Sequence, residues 1–444
     1  MMSTEKNKYD VAVVGGAGHV GIPLSLVLAD RGLRTLIVDH NRDALATLEA
    51  GRLPFVEAGG ERLLRKVLDE GMLGFSWSPE GVAGVEVVIV TIGTPIDEFH
   101  NPDFSVLTGC LDGLMTHLRD DQTIILRSTI APGATEYVQG YLRRHGKKTL
   151  LAFCPERVVQ GNAIDEIRTL PQLVSGTSRE AVKTATDLFL KIAPEVVEMT
   201  PREAEFAKLI CNAYRYIHFA ATNQLYMMVQ SAGLDYNALL DKMQHGYERM
   251  SSIPRPGFAA GPCLMKDTMQ LFAFQKHNFI LGQVAMTINE GLPNYLVESI
   301  AERFDLGSTR VGILGMAFKA ESDDIRDSLS YKLGKLLRYH GATVAYSDEY
   351  AKDPTFVSKE HLVSSVDIVF IGVPHAAYRT LAVPAEVEVV DLWRIIPRRG
   401  IDERPNDDRR VLGATGDHLA AGQEPAGPRD WVRPGAPATR RRAG

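Results

Sequence analysis

The sequence has few cysteines and no long apolar run. Only four cysteines occur in 444 residues, which argues against a disulfide framework and favours a reducing, cytoplasmic setting. No segment approaches the roughly 18 consecutive apolar residues that a membrane-spanning helix needs. The first ten residues are polar and mixed in charge, so we expect no secretory signal and no membrane partner.

The chain also lacks a surplus of basic residues. Its 49 Lys and Arg against 55 Asp and Glu give a formal net charge of −6, whereas proteins that bind the nucleic-acid backbone normally present a basic surface. We therefore expect no nucleic-acid partner. Hydrophobic residues make up 45% of the chain, which is ample for packed cores and predicts a globular enzyme.

Short apolar runs alternate with helical patterns over the first 200 residues, and the alternation returns after residue 310. Strands separated by helices predict βαβ units and a parallel sheet. We therefore predict an α/β fold with two Rossmann-like doubly wound domains, at 1–200 and 301–398. A helical connector at 201–300 joins them, and a tail at 399–444 is predicted to be disordered. The predicted strands lie at 10–14, 34–38, 84–92, 122–128, 149–153, 310–314, 343–347, 366–372 and 387–391.

The connector begins with a segment that favours one long helix. From Glu203 to Gly233 the chain has no internal Pro or Gly, and its apolar residues follow helical spacing. Gly233 is expected to end the helix. Lys208 and Asn212 are four residues apart, so they share one face of it.

A glycine-rich turn follows the first predicted strand and opens a helix. In the pattern G-x-G-x-x-G, glycines allow the tight turn and the approach of a pyrophosphate, which the helix N-terminus binds. Asp39 ends the second strand, where a carboxylate accepts ribose hydroxyls and repels a 2′-phosphate, so NAD is favoured over NADP. Arg42 lies close to Asp39 in the sequence, and its positive charge is expected to weaken the preference for NAD over NADP. The turn itself contains Gly16, Gly18, His19, Val20 and Gly21.

The first strand of the C-terminal domain is followed by a different turn. Gly312 to Gly315 lacks the complete glycine pattern. We therefore predict that Asp348, which ends the next strand, is structural and not a second NAD ligand.

Among the cysteines, Cys263 has the context of a reactive thiol. It follows a loop rich in Pro and Gly and precedes a helical pattern, so it is predicted at a helix N-terminus, where the dipole lowers a thiol pKa. Lys266 and Asp267 bring charge within one turn. From these residues alone, a nucleophile and an inert thiol both remain open. Cys110 and Cys211 are predicted to be buried.

Polar residues also stand at the ends of two predicted strands. Ser128 and Thr129 end one strand, and Glu156 follows the next. Parallel α/β sheets bind their ligands at the carboxyl edge. These positions are therefore expected to converge on one site.

Taken in order, the motifs resemble the UDP-glucose/GDP-mannose dehydrogenase family of NAD-dependent nucleotide-sugar 6-dehydrogenases. The resemblance extends from about Asp10 to Arg394. It implies two Rossmann-like domains joined by a long helix that forms the core of a homodimer, with NAD as cofactor. It rests on Gly16-x-Gly18-x-x-Gly21-x-Pro23, Gly93-Thr94-Pro95, Ser128-Thr129-Ile130-Ala131-Pro132-Gly133, Pro155-Glu156-Arg157, Lys208-Leu209-Ile210-Cys211-Asn212, Gly261-Pro262-Cys263-Leu264-Met265-Lys266-Asp267, Leu314-Gly315-Met316-Ala317-Phe318-Lys319 and Asp323-Asp324-Ile325-Arg326.

The family's chemistry is a four-electron oxidation of a sugar C6 alcohol to a carboxylate with two NAD⁺. By resemblance, Cys263 captures the intermediate aldehyde as a thiohemiacetal and carries the thioester that water hydrolyses. The resemblance makes Lys208 the cation that stabilises the oxyanion and Asn212 a second donor. It also implies that Asp267 and Thr129 position the hydrolytic water and that Glu156 is a general acid/base.

Binding residues follow from the same resemblance. Further NAD contacts are expected from Thr94, Pro95, Ser128, Thr129 and Arg326. Arg249 matches an arginine that reaches into the neighbouring subunit's site, and Arg255 is its rival. No metal is expected. The other expected contacts with the nucleotide-diphosphate sugar are Glu156, Arg157, Lys208, Asn212, Phe258, Gly261, Phe318 and Lys319.

The signals for the substrate are mixed. Lys266 and Asp267 resemble glucose-oxidising members, and UDP-glucose or dTDP-glucose is the predicted substrate. Pro155-Glu156-Arg157-Val158 with Gly161-Asn162 resembles members that oxidise UDP-N-acetylhexosamines (ManNAc or GlcNAc), which are the alternative. More distant alternatives are a single-step hydroxyacid dehydrogenase and a non-catalytic NAD sensor. The loop that carries Cys263 counts against the first, and the presence of Cys263, Lys208, Asn212 and Asp267 together counts against the second.

Overall fold

Two mostly parallel sheets organise residues 8–397, the part of the chain that the computed structural model describes. The tail at 399–444, for which the sequence predicts disorder, lies outside the described residues. The strands are β1 (Val11–Val14), β2 (Thr35–Val38), β3 (Leu73–Ser76), β4 (Val87–Val90), β5 (Thr123–Leu126), β6 (Leu150–Phe153), β7 (Gln172–Gly176), β8 (Val196–Glu198), β9 (Arg310–Leu314), β10 (Thr343–Ser347), β11 (Ile368–Ile371) and β12 (Glu388–Val390).

Helices cover both sheets and fill the connector. The α-helices are α1 (Gly21–Asp30), α2 (Arg42–Glu49), α3 (Gly60–Asp69), α4 (Ser105–Met115), α5 (Ala134–Arg144), α6 (Ala163–Thr169), α7 (Arg179–Phe189), α8 (Pro201–Ser231), α9 (Tyr236–Gln244), α10 (Leu264–Phe274), α11 (Ile280–Ala301), α12 (Leu329–Tyr339) and α13 (Lys359–Ser365). Among residues 8–397, none of these helices has the length and apolar character that would let it cross a membrane.

The N-terminal sheet has eight strands in the order β3-β2-β1-β4-β5-β6-β7-β8. All neighbours are parallel except β6 and β7. Every residue of β1, β2, β4 and β5 is buried, as expected for strands covered on both faces. The strands predicted in this region are confirmed, whereas β3, β7 and β8 had not been predicted.

The C-terminal sheet repeats the arrangement with four parallel strands in the order β10-β9-β11-β12. In the N-terminal sheet the chain starts at β1, adds β2 and β3 on one side and then crosses to β4 on the other. In the C-terminal sheet it starts at β9, adds β10 and then crosses to β11. The carboxyl edge at such a switch point is where doubly wound folds bind ligands. The predicted α/β fold with two Rossmann-like domains is confirmed.

The long helix α8 lies where the sequence predicts it. Pro201 stands at its start and Thr200 forms a capping box with Glu203, which satisfies free N–H groups of the first turn. Gly233 follows the helix with φ of 73°, a conformation that favours glycine. The helix packs against α10 and α11 and thereby carries the cysteine loop.

Candidate active site

The glycine turn after β1 leaves open space at its tip. A Cβ on Gly16 would lie 2.5 Å from the Val13 carbonyl oxygen, and one on Gly21 would lie 2.5 Å from Gly16. At Gly18 the nearest atom would be 3.7 Å away. Gly16 and Gly21 therefore allow close packing, while the backbone at Gly18 is free to approach a ligand. No described side chain caps the N-terminus of α1, which begins just after His19 and Val20, and this fits a pyrophosphate.

Asp39 and Arg42 stand beside this turn, at the end of β2 and the start of α2. The Asp39 carboxylate accepts hydrogen bonds from the Ala17 N–H at 3.0 Å and the Asn41 N–H at 2.9 Å. The Arg42 guanidinium lies 4.1 Å from the centre of the Trp77 ring, a cation–π contact. Trp77 was not predicted as part of this site, because nothing in the sequence around it marks the end of β3.

The ends of β4 and β5 meet at the same edge. The Thr94 hydroxyl donates to the Thr129 carbonyl, and the Ser128 hydroxyl donates to the Ile92 carbonyl at 2.5 Å. Pro95 follows Thr94 in the first of these loops. The expected convergence of these strand ends is therefore observed.

Glu156, which follows β6, is paired with Arg127, which was not predicted as part of the site. The fully buried Arg127 donates to Glu156 Oε2 and also to the Cys154 carbonyl at 3.1 Å. Glu156 Oε1 accepts from the backbone N–H groups of Arg157 and Val158. Both carboxylate oxygens are thus engaged. An arginine inside an apolar strand was the available signal, since a buried charge requires a partner.

Buried amides anchor the loop that leads to Cys263. Asn223 of α8 donates to the Gly257 carbonyl at 3.0 Å and accepts from the Gly257 N–H at 2.9 Å. Gly261 has φ of 96° and touches Phe318, because a Cβ there would lie 2.4 Å from that ring. The connector and the C-terminal domain therefore jointly fix the loop.

Cys263 lies directly before α10, as predicted. One turn later, the fully buried Asp267 accepts from the Asn212 amide at 2.6 Å and from Lys266 Nζ at 2.7 Å. Lys208, one turn before Asn212 on α8, is close enough to act electrostatically on the Cys263 thiol. The structure thus brings together the four residues predicted around the thiol.

The predicted lowering of the Cys263 pKa is wrong. Cys263 is exposed to solvent, but desolvation by the surrounding protein together with the Asp267 carboxylate raises the pKa of its thiol. The cations Lys266, Lys208 and Arg326 offset only part of this effect. The helix dipole is therefore outweighed, and the resting thiol is protonated at neutral pH.

Cys110 and Cys211, the other two cysteines for which burial was predicted, are less buried than expected. Cys211 was predicted to be buried but is exposed on α8, and Cys110 is half-buried. The apolar neighbours that led to the prediction for Cys211 lie on both sides of the helix, and Ile210 beside it is also exposed.

Residues of the C-terminal domain reach this region. Phe318 packs on Gly261 as described, and Lys319 Nζ donates to the Gln160 carbonyl. Burial lowers the pKa of Lys319. Arg326 forms a tight pair with Asp324, with an N–O distance of 2.6 Å, and interacts electrostatically with Cys263.

Four predicted substrate contacts lie apart from Cys263 or are otherwise engaged. Arg249 is exposed in a short helical turn. Arg255 donates to Asn237 and Asp241. Phe258 is 9% exposed and belongs to the hydrophobic core of the C-terminal domain, so it supports the loop. Arg157 donates to the Pro171 carbonyl.

The glycine turn with Asp39 beside it is that of a dinucleotide-binding Rossmann domain, and a second Rossmann-like domain follows it in the chain. Three family models match successive parts of the chain: the NAD-binding domain at 9–193, the central domain at 202–290 and the UDP-binding domain at 312–398. The chain therefore belongs to the UDP-glucose/GDP-mannose dehydrogenase family and is a nucleotide-sugar dehydrogenase that uses NAD.

Individual relatives differ in the sugar that they are named for. The chain is 29% identical over 387 residues to UDP-glucose 6-dehydrogenase of Pseudomonas aeruginosa, covering 82% of this chain and 84% of that protein. It is 26% identical over 384 residues to UDP-N-acetyl-D-mannosamine dehydrogenase of Pyrococcus horikoshii, covering 84% and 90%. The structure of a UDP-glucose dehydrogenase from Pyrobaculum islandicum superposes with a TM-score of 0.80 at 25% identity, covering 88% and 95%.

Proposed function

We propose that the chain oxidises C6 of a UDP-hexose to the carboxylate in two successive steps, with Cys263 as the covalent nucleophile. The observation that supports this most is the grouping of Cys263 with Lys208, Asn212 and Asp267 beside residues of the C-terminal domain. A dehydrogenase that performs a single oxidation needs no cysteine nucleophile.

Bound NAD⁺ would supply the hydride acceptor for each oxidation, held by the turn at Gly16–Gly21, by Asp39 and by the loops at Thr94 and Ser128. The first oxidation converts the C6 alcohol to an aldehyde. The Cys263 sulfur then adds to the aldehyde carbon and the thiol proton passes to the carbonyl oxygen, which gives a thiohemiacetal. A second loss of hydride and a proton leaves the thioester, and water releases the carboxylate, the free thiol and a proton.

The surrounding residues fit separate parts of this sequence. Lys208 is a cation near the sulfur and is suited to stabilise the oxyanion. Asn212 and Lys266 both donate to Asp267, which orients that carboxylate one turn from Cys263. We assign to Asp267, with Thr129, the positioning of the hydrolytic water.

Glu156 requires a more specific assignment. Its two oxygens accept hydrogen bonds from Arg127 and from two backbone N–H groups. Proton transfer by Glu156 therefore requires one of these bonds to open. We propose that it acts as a general acid/base only after such an opening.

The oligomer proposed for this enzyme is a homodimer formed through α8. One side of that helix exposes large apolar residues, which mark protein interfaces when they are contiguous. A second copy of α8 would cover these residues. Of the two arginines proposed to reach the neighbouring subunit's site, Arg249 is exposed, whereas Arg255 is paired with Asp241. The exposed residues are Ile210, Tyr214, Leu225 and Met228.

For the sugar, UDP-glucose is our first candidate and UDP-N-acetylmannosamine the second. The matched UDP-binding domain favours uridine over thymidine. The Pseudomonas aeruginosa relative named for UDP-glucose is 29% identical, and Lys266 and Asp267 agree with the glucose type. The Pyrococcus horikoshii relative named for the mannosamine substrate supports the second candidate.

An assay of NADH formation tests both the sugar and the number of oxidations. The purified chain is offered UDP-glucose, dTDP-glucose, UDP-GlcNAc, UDP-ManNAc and GDP-mannose, and NADH and sugar acid are quantified. We expect two NADH per acid and the highest kcat/KM with UDP-glucose. One NADH per product would contradict the four-electron reaction.

The nucleophile is tested with Cys263→Ala and the matched control Cys110→Ala. Removing the nucleophile is expected to lower the rate of acid formation by at least about 1000-fold, whereas the control retains the parent rate. Near-parent production of acid by Cys263→Ala would contradict the covalent mechanism.

A further inference from the structure

Gln160 lies at the junction between the NAD-binding domain and the C-terminal domain. Its side-chain nitrogen is 3.0 Å from His19 Nδ1, in the glycine turn, and 3.1 Å from Asp324 Oδ2. Its backbone carbonyl accepts a hydrogen bond from Lys319 Nζ. One residue therefore contacts the cofactor turn with its side chain and the C-terminal domain with both side chain and backbone.

The partners determine how the amide is oriented. Asp324 also accepts from Arg326, at 2.9 Å from Nε and 2.6 Å from a terminal nitrogen. Burial alone would raise the pKa of Asp324, but Arg326 and Gln160 lower it, so its oxygen accepts and the Gln160 nitrogen donates. His19 Nδ1 must then accept a hydrogen bond from the same Gln160 nitrogen, which requires a neutral imidazole ring.

The burial of His19 agrees with that arrangement. Burial lowers the pKa of His19 to about 4, so the ring is neutral at physiological pH. A protonated ring would place an N–H opposite the Gln160 amide, donor against donor.

Backbone contacts extend the same junction. The Val56 N–H donates to Asp323 Oδ1 at 3.1 Å, and the Ala58 N–H donates to the Gly161 carbonyl at 3.0 Å. The Phe55 ring lies 3.9 Å from the His19 ring. The junction is thus continuous from the cofactor turn through Gln160 to the segment that carries Arg326.

We propose that Gln160 is a positioning residue that couples NAD⁺ binding to nucleotide binding, by joining His19 of the cofactor turn to the Asp324–Arg326 pair. This inference rests on the proposed function in one respect, namely that the C-terminal domain binds the nucleotide of the substrate. A ligand on either domain favours the arrangement in which the Gln160 bonds are made. Each ligand must then raise the affinity for the other by the same factor.

The test measures the Kd of NAD⁺ with and without saturating UDP, which cannot be oxidised. We expect UDP to tighten NAD⁺ binding at least about fivefold in the parent. Gln160→Leu keeps the side-chain size but removes both donors. In this variant UDP should tighten NAD⁺ binding by less than about twofold, while the Kd of NAD⁺ measured without UDP changes by less than about threefold. Gln139→Leu, on the half-buried side of α5, is the control and should retain the parent factor.

A second variant separates coupling from a general loss of structure. Asp324→Asn should also reduce the factor, and the double variant should be no worse than the stronger single variant, because both changes break one chain of contacts. Additive losses, or parental coupling in Gln160→Leu, would overturn the proposal. UDP that binds without affecting NAD⁺ would remove this inference alone, whereas a parent that does not bind UDP would remove the proposed function too.

Discussion

The two Rossmann-like domains share a topology but use the acid that ends their second strand differently. Asp39 follows β2 and Asp348 follows β10, at equivalent places in the two sheets. Within residues 8–397, Asp39 accepts from two backbone N–H groups, those of Ala17 and Asn41. Asp348 accepts from four, and also lies 3.2 Å from His375 Nε2.

The protonation of Asp348 reflects this environment. Burial alone would raise its pKa, but the contact with His375 and the backbone hydrogen bonds lower it to about 2. The carboxylate is fully buried and ionised, and its hydrogen-bonding capacity is used inside the domain. The structure therefore agrees with the prediction that Asp348 is structural.

The difference shows how one fold can carry two kinds of site. In the N-terminal domain the glycine turn is open at Gly18 and the acid keeps capacity for ribose hydroxyls. In the C-terminal domain Met316 and Ala317 occupy the turn and their N–H groups bind Asp348. The same backbone pattern thus forms a dinucleotide site in one domain and a set of hydrogen bonds that stabilises the turn in the other.

The largest effect is expected from Asp348→Ala. This change leaves His375 and four N–H groups without their acceptor, and it should lower the free energy of unfolding by about 3 kcal/mol. Denaturant unfolding of this variant and of Glu386→Ala, an exposed acid of the same domain, provides the measurement. An equal effect of both changes would show that the network around Asp348 contributes little.

Acid should affect the two domains in different pH ranges. The lowered pKa of His19 favours its neutral form in the folded state, so its contribution to stability is complete above pH 6.5 and decreases as the pH falls to about 4. For Asp348, whose pKa is lowered, the contribution to stability decreases as the pH falls below 3.8 and continues to decrease to about pH 2. The free energy of unfolding from urea titrations should fall less between pH 7.5 and pH 4 in His19→Asn than in the parent, by about 3 kcal/mol. Identical profiles would contradict the assignment to His19.

Asp39→Ala should change cofactor preference and leave stability nearly unchanged. Loss of the carboxylate removes an acceptor for the ribose hydroxyls and the repulsion of a 2′-phosphate. We expect kcat/KM with NAD⁺ to fall about tenfold and the gap to NADP⁺ to narrow. Asp43→Ala, an exposed acid on α2, is the control for charge alone. A parent enzyme that uses NADP⁺ equally well would contradict the role of Asp39.

The strands of the C-terminal sheet and the central strands of the N-terminal sheet could be predicted from the sequence, whereas the outer strands β3, β7 and β8 of the N-terminal sheet could not. Strands such as β1 and β4 are continuous apolar runs, because both of their faces are buried. In contrast, β3 contains a glycine, β7 begins with a glutamine, and β8 has three half-exposed or exposed residues. Such strands owe their conformation to their neighbours, which periodicity does not reveal.

The candidate site was likewise predictable in position and less so in its electrostatics. The motifs located Cys263, Asn212 and Asp267, and the structure brings them together. Whether the pKa of Cys263 is raised or lowered depends on the balance between burial and the helix dipole, and only the packed structure shows how strongly the thiol is buried. Arg127 was missed although its position inside an apolar predicted strand indicates a buried charge that needs a partner.

The smallest effect, and the sharpest test of the comparison, concerns the number of NAD⁺ sites. If Asp348 is structural, titration calorimetry should give one NAD⁺ per chain. Asp348→Asn keeps an oxygen acceptor for the backbone N–H groups, so it should leave the Kd of NAD⁺ within about twofold of the parent, whereas Asp39→Asn should weaken binding about tenfold. The two changes are chemically identical and differ only in the domain that carries them. A second NAD⁺ that disappears in Asp348→Asn would show that the C-terminal turn also binds the dinucleotide, and the distinction between the two acids would then be wrong.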